Sequence, residues 1–259
     1  MTKAVIHTID SIQRPFVIRW SNDKDIQQIH NWLQKEDTLE VHGNFLCNWN
    51  LTRQCHDEGA LLVLIDEIED IPVAYQWGQL LSSGILQVRN DWRGKGLGRL
   101  VVEHCIELAL QQDEMVLQVA CKPSSSIPFW KAMDFTIIEG KFGENAKGFR
   151  VLSKKLALPP SKRPVVATVS SFPEERKWQE DVPAIAIYHP DAAVADNGKV
   201  YLAERASFPM SFHPMRGDPI IEIIVEGQLI YRDKAKYQDA QDHGVKWCRN
   251  GFYIDTVTT

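Results

Sequence analysis

The densest chemical signal in the chain is the turn Arg93-Gly94-Lys95-Gly96-Leu97-Gly98. Glycines at alternate positions let a backbone approach a ligand with no Cβ in the way. The residues that follow, Leu97, Leu100, Val101, Cys105, Leu108 and Ala109, repeat at three and four and predict a helix that opens on the turn. The first amides of a helix have no partner inside it and carry the positive end of its dipole, worth ~0.3–1 kcal/mol to an anionic group. Arg89, Arg93, Lys95 and Arg99 crowd the same place. Together these features read as a pyrophosphate cradle. A Walker loop is excluded, because Gly98 is followed by Arg99 and Leu100 where that motif needs Lys and a hydroxyl. A Rossmann fingerprint fails as well, since the position for its third glycine is Arg99.

What is left is Arg-x-x-Gly-x-Gly, filled by Arg93, Gly96 and Gly98 directly after a strand ending near Val88. Here the sequence resembles the GNAT superfamily of acetyl-CoA-dependent N-acetyltransferases. A second feature agrees in part: a short helix with the aromatic pair Phe129-Trp130 that stops at Asp134-Phe135, where the family has Gly-Phe. Asp tolerates the left-handed conformation that the glycine supplies. The resemblance spans residues 16 to 156 and implies an α/β (α+β) fold, a mixed sheet flanked by helices, followed here by a smaller β-rich domain.

The resemblance also implies roles for residues of this chain. The co-substrate would be acetyl-CoA, its pyrophosphate on the amides of Arg93, Gly94, Lys95, Gly96, Leu97 and Gly98, with Arg99 close by. Its pantetheine arm would lie beside Leu86 and Val88, where a backbone N–H can bond the thioester oxygen. Arg89 and Lys95 would meet the other phosphates, and Ser126 the pantetheine amides. The acceptor would be a primary amine, with a pKa of ~10.4 in a lysine, so a base must take its proton. Glu58, His56 and His42 lie in the region the family uses for that purpose. Trp49, His56 and Trp77 are candidates for acceptor contact. The family's acid, a tyrosine in the aromatic pair, is replaced by Trp130, and an indole is no acid near neutral pH. Tyr75 is the one tyrosine before residue 158 and so the candidate acid, with core packing as its competing role. No metal is implied. Loss of that tyrosine motivates an alternative, a degenerate acyl-CoA-binding protein that grips a partner through its β-rich half.

The elements that must position these residues can be read from pattern. Phe16–Trp20 predicts a strand, Ser21–Asp25 a helix cap, and Ile26, Ile29 and Leu33 the helix after it. Residues 1–15 show little pattern and read as an extension. Residues 59–65 and 73–77 predict a hairpin, with Asp66, Glu67, Glu69 and Asp70 as a solvated turn. A strand–helix–strand crossover would set residues 115–120 parallel to residues 85–88. Leu158–Pro164 is a linker by composition. Thus residues 16–157 form the first domain. Residues 165–259 form a second, whose strands are expected near 165–169, 182–188, 199–202, 220–225, 228–231 and 252–257, with Glu226-Gly227 as a tight turn.

Composition sets the outer limits. The chain has 259 residues and a net charge of −5, which suits two domains and gives no support for a nucleic-acid surface. The cysteines, 5 in all, are scattered with no C-x-x-C spacing, as expected of reduced thiols in a cytoplasm. No apolar run is long enough for a leader or a membrane span, so the expectation is a soluble, cytoplasmic protein. His189, His213 and Cys248 match no known metal-site spacing. Trp178 and Trp247 would suit a homodimer contact if exposed.

Overall fold

The computed structural model describes residues 5–9, 14–138, 145–160, 162–210 and 218–259. The chain divides into two units, Met1–Ala109 with Gln118–Gly148, and Leu110–Leu117 with Phe149–Thr259.

In the first unit β1 (Val5–Ile9) and β2 (Arg14–Trp20) lead to α1 (Asp23–Thr38) and α2 (Trp49–Asp57). Next come β3 (Leu62–Asp66), β4 (Ile71–Trp77) and β5 (Ile85–Val88), and the strands form one antiparallel sheet in chain order. The cap of α1 is Asn22, whose side chain accepts from the Asp25 amide at 3.1 Å while the Asp25 carboxylate accepts from the Asn22 amide at 2.8 Å. This reciprocal pair satisfies two amides that the helix itself leaves open. Ile29, Trp32 and Leu33 then pack with Val63, Ile65, Tyr75 and Ile85. Strand alternation puts Tyr75 opposite Gln87 and Trp77 opposite Ile85 on one face of the sheet.

Two expectations change here. Residues 5–9, read as patternless, pair with β2, because an edge strand is held by its main chain and needs no hydrophobic signature. The acidic turn is not wholly solvated: Asp66 is fully buried, bonded to Arg14 and accepting from the Ile68 amide at 3.1 Å. Its counter-charge comes from β2, distant in sequence and therefore invisible to a local reading.

After β5 come α3 (Leu97–Gln111), β6 (Val116–Ala120), α4 (Ile127–Ala132), β7 (Thr136–Ile138) and β8 (Lys147–Val151). The last three strands form a separate sheet ordered β6-β8-β7. Strands β5 and β6 do not pair: β5 closes one sheet, β6 borders the other, and the Gln118 amide donates to Leu80 O at 2.7 Å. Leu80 is buried and ends a run of left-handed residues, with φ of 85° at Gly78, 51° at Gln79 and 58° at Leu80. The β4–β5 connection thus takes an amide that a continuous ladder would have used. Asp134 adopts φ 59°, the left-handed stop expected of it. Ser126 does not cap α4 through its side chain, which donates to Pro123 O at 2.7 Å; Pro128 pre-sets the first turn instead.

The second unit is built from β9 (Lys162–Phe172), β10 (Ala186–Tyr188), β11 (Asp191–Ala195), β12 (Val200–Pro209), β13 (Ile220–Val225) and β14 (Gln228–Lys234). These are followed by α5 (Gln238–Asp242), β15 (Val245–Cys248) and β16 (Gly251–Val257). The sheet order is β14-β13-β9-β11-β12-β16-β15, with β10 also on β9. Val169, Leu202, Phe208, Ile221, Ile223, Phe252 and Ile254 fill its core. Glu226 and Gly227 have φ of 50° and 77°, as a two-residue hairpin turn requires. Strands β11 and β15 went unforeseen, since Asp-Ala-Ala-Val-Ala and Val-Lys-Trp-Cys carry little alternation. Trp178 and Trp247 are exposed.

This unit starts earlier than the 158–164 linker and takes in residues 110–117. Its hydrogen bonds explain why. Leu152 N donates to Met115 O at 2.8 Å, Arg249 N to Glu114 Oε2 at 2.8 Å, and Arg205 Nη1 to Asp113 Oδ1 at 3.3 Å.

Candidate active site

Between β5 and α3 the chain makes a single 3-10 turn, Asn90–Trp92, and then the glycine segment. The glycines do two different jobs. Gly94 and Gly96 have φ of 74° and 84°, with nothing within 4 Å of where a Cβ would stand. An L residue there would cost ~1–2 kcal/mol in backbone strain. At Gly98 a Cβ would stand 3.3 Å from the Phe129 ring and 3.6 Å from Val88 Cγ2, so this glycine lets the helix start close to α4 and β5.

The first helical bonds run from Arg99 N and Leu100 N to Gly96 O, at 3.0 and 3.4 Å. Among the described residues no acceptor lies in hydrogen-bonding geometry to the amides of Gly94, Lys95, Gly96, Leu97 or Gly98. A row of donors at the head of a 15-residue helix is a site for an anion.

Strand β5 adds a second set of free groups. Arg89 N donates to Val73 O at 2.9 Å, so amides facing β4 fall on odd-numbered residues. Those of Leu86 and Val88 therefore face the open edge of the sheet, next to the glycine turn. On that edge the Val88 carbonyl accepts from Arg93 Nε at 3.0 Å.

The cations are less available than their number suggests. Arg93 spends its guanidinium on backbone carbonyls: Val88, His42 at 2.9 Å and Gly43 at 3.5 Å. Arg89 grips Asp91 through two bonds of 2.7 and 2.9 Å, which hold the Asp91 carboxyl below the usual carboxylate range. Lys95 stands 4.6 Å over the Trp92 ring, with Arg14 and Arg89 near the same ring at 5.6 and 6.0 Å. Arg99 is exposed and 4.0 Å from Glu103. Lys95 and Arg99 are thus the side chains best able to turn to an added phosphate.

The remaining predicted residues are spread over several elements. Leu86 and Val88 lie half-buried on β5, Leu97 is buried in the first turn of α3, and Ser126 ends the 3-10 turn before α4. Trp49 stacks on His30 with ring centroids 4.3 Å apart, and Trp77 Nε1 donates to Thr52 Oγ1 at 3.2 Å, tying α2 to β4. His56 sits between Ser21 Oγ at 2.8 Å and Asp23 Oδ1 at 3.3 Å, which fastens the end of α2 to the start of α1. Glu58 follows α2, exposed, and accepts from Gln54 Nε2 at 2.8 Å. Tyr75 is buried, its hydroxyl donates to Gln87 Oε1 at 2.9 Å, and burial pushes its phenol up. Trp130 packs against Phe129 and Phe135, with centroids 4.9 and 5.2 Å away. Of the residues weighed for metal, His189 bonds Thr168 Oγ1 at 3.1 Å, Cys248 is half-buried, and His213 lies outside the described residues.

Solved structures similar to this chain are GNAT-family acetyltransferases. One from Listeria monocytogenes 4b F2365 is 12% identical, with 57% of this chain and 100% of that chain covered and a TM-score of 0.43. Another, from Staphylococcus aureus Mu50, is 14% identical over 53% of this chain and 99% of that one, at 0.42. The PaiA N-acetyltransferase of Thermoplasma acidophilum, in complex with coenzyme A, is 9% identical over 52% and 98%, at 0.39. No family profile and no curated protein sequence matches the chain.

Two residues that the sequence reading passed over stand behind the site. Glu36 and Gln87 are both buried, and Gln87 Nε2 donates to Glu36 Oε2 at 3.3 Å. A signal was present, since Glu36 falls on the same helical stripe as Ile29, Trp32 and Leu33. No helix among the described residues is long and apolar enough to cross a membrane.

Proposed function

We propose that the protein binds acetyl-CoA at the glycine turn and transfers its acetyl group to a primary amine of a small molecule, peptide or protein. The observation that carries this reading is the row of unpaired amides from Gly94 to Gly98, set directly beside the open-edge amide of Val88. An anion cradle next to a spare strand amide suits a ligand with a pyrophosphate at one end and a carbonyl at the other. The Arg-x-x-Gly-x-Gly pattern supports the same assignment.

The thioester supplies the acetyl group and a thiolate leaving group. The chain's own groups do the rest. The amides of Gly94–Gly98 and the dipole of α3 hold the pyrophosphate, with Lys95 and Arg99 on further phosphate oxygens. The Val88 amide donates to the acetyl oxygen, whose negative charge grows as a neutral amine attacks. The C–N bond forms as C–S breaks, and the amine's proton passes to a base, for which Glu58, His56 and His42 are the candidates. The buried Tyr75 hydroxyl is engaged with Gln87, and a thiol titrates at ~8.5, so thiolate departs with solvent as its proton source.

A second reading has one observation in its favour. With Trp130 packed in the core and Tyr75 buried, no tyrosine of the first unit is free to act as an acid. On that reading the chain binds acyl-CoA without turning it over and uses its β-rich unit to hold a partner. The deciding experiment follows release of CoA thiol when the protein meets acetyl-CoA and a panel of small amines, polyamines and peptides with free amino groups. Release dependent on one class supports the transferase. Saturable binding with no release across the panel supports the binding module.

A further inference from the structure

Behind the glycine turn lies a buried hydrogen-bonded chain with a fixed polarity. Glu36, in the last turn of α1, is 6% exposed. Its Oε1 accepts from the Asn90 amide at 2.7 Å, and its Oε2 accepts from Gln87 Nε2 at 3.3 Å. The amide oxygen of Gln87 accepts from the Tyr75 hydroxyl at 2.9 Å and the Phe45 amide at 3.3 Å. A carboxylate can only accept, so it fixes which end of the Gln87 amide faces it and leaves the oxygen for Tyr75 and Phe45. Each of these bonds ends on β5, on the 3-10 turn that follows it, or on the α1–α2 connection.

Arg93 also ties these two segments, through the carbonyls of Val88, His42 and Gly43. Residues 87–93 are therefore tied to residues 42–45 at both ends of the segment, and they carry the open-edge amide of Val88 and lead into the glycine turn. We infer that Glu36 is a positioning residue: its buried carboxylate, through Gln87 and the Asn90 amide, sets the end of β5 and the entry to the glycine turn. The assignment rests on the reading of that turn as the cofactor cradle.

The polarity of the chain makes a sharp test. In Glu36→Gln the new NH2 faces either the Asn90 amide or the Gln87 NH2, and if Gln87 flips to receive it, the Gln87 NH2 meets the Phe45 amide; in each case a donor loses its acceptor. In Glu36→Gln/Gln87→Glu every donor has an acceptor again, with the carboxylate now at position 87. Hydrogen exchange over residues 85–97 and acetyl-CoA affinity are measured on the full chain, well below its melting temperature. Asn22→Ala, at the other end of α1, is the control for stability alone.

Glu36→Gln is expected to speed exchange across 85–97 and weaken acetyl-CoA about tenfold or more, as small misplacements of a site do. The double variant is expected to restore both, and Asn22→Ala to change neither. The inference is overturned if Glu36→Gln, or the double variant in case the single one does not fold, departs from this pattern: a lower melting temperature with unaltered local exchange, or a double variant as impaired as the single. Absence of acetyl-CoA binding by the natural chain would instead sink the cofactor reading, while the exchange data still decide whether Glu36 sets the strand end.

Discussion

Val88→Pro is expected to lower turnover by ~10²–10³-fold, the cost of deleting one donor to a developing oxyanion. The substitution removes a single N–H and adds little else. That amide takes no part in the β4–β5 ladder, because the neighbouring Arg89 amide is the one that reaches Val73 O. An edge position with its N–H turned away from the sheet is where a strand accepts proline, and Gln87 before it is already extended. Stability and acetyl-CoA affinity should therefore change little. Val88→Ala keeps the N–H and should keep the rate. Steady-state kinetics of the two variants separate the claims: full turnover in Val88→Pro would remove the Val88 amide from the chemistry.

The largest loss of stability is expected at Arg205, on β12. Its side chain is 4% exposed, and it meets Asp255 through Nε at 2.6 Å and Nη2 at 2.7 Å. Its guanidinium also lies 3.9 Å from the Tyr253 ring centroid and reaches Asp113 at 3.3 Å. Lys154 shares Asp113 and, by its hydrogen bond, holds that carboxyl below the usual range. In Arg205→Ala the carboxylate of Asp255, 18% exposed, keeps among the described residues only Lys246, at 3.9 Å. Breaking a buried pair while leaving one charge behind costs about 3–5 kcal/mol. Guanidinium denaturation should show a loss of that size, and Arg205→Ala/Asp255→Ala should recover ~1 kcal/mol or more because the orphaned charge is gone. A loss under ~1 kcal/mol in the single variant would mean that water already solvates the pair.

How much of this was legible depended on distance along the chain. Strand β5, the glycine turn and α3 are contiguous, so spacing alone located the turn and the helix that opens on it. The left-handed stop at Asp134 and the hairpin turn at Glu226-Gly227 were also local and readable. What sequence could not supply was partnership. Arg93 reads as a phosphate ligand until the carbonyls of Val88, His42 and Gly43 are seen to occupy it. Asp66 reads as solvated until Arg14 arrives from β2. A crossover rule relates β5 to β6 through α3, but it does not show that the left-handed run at Gly78, Gln79 and Leu80 gives Gln118 its acceptor. The boundary of the second unit was hidden for the same reason: Asp113, Glu114 and Met115 are tied to residues 152–249, and a fragment starting after the linker would lack them.

The claim on which the rest depends is that the amides of Gly94–Gly98 hold the pyrophosphate of acetyl-CoA. Calorimetric titration of the natural chain and of Gly96→Glu with acetyl-CoA and with desulfo-CoA tests it most directly, with the melting temperature of each recorded alongside. A Cβ at position 96 points into open space, so the added carboxylate enters the cradle at a strain of ~1–2 kcal/mol and leaves the core untouched. Saturable binding of both ligands by the natural chain, lost in a Gly96→Glu protein that still melts cooperatively, is the expected result. Equal binding by the two proteins would place the ligand elsewhere and contradict the account.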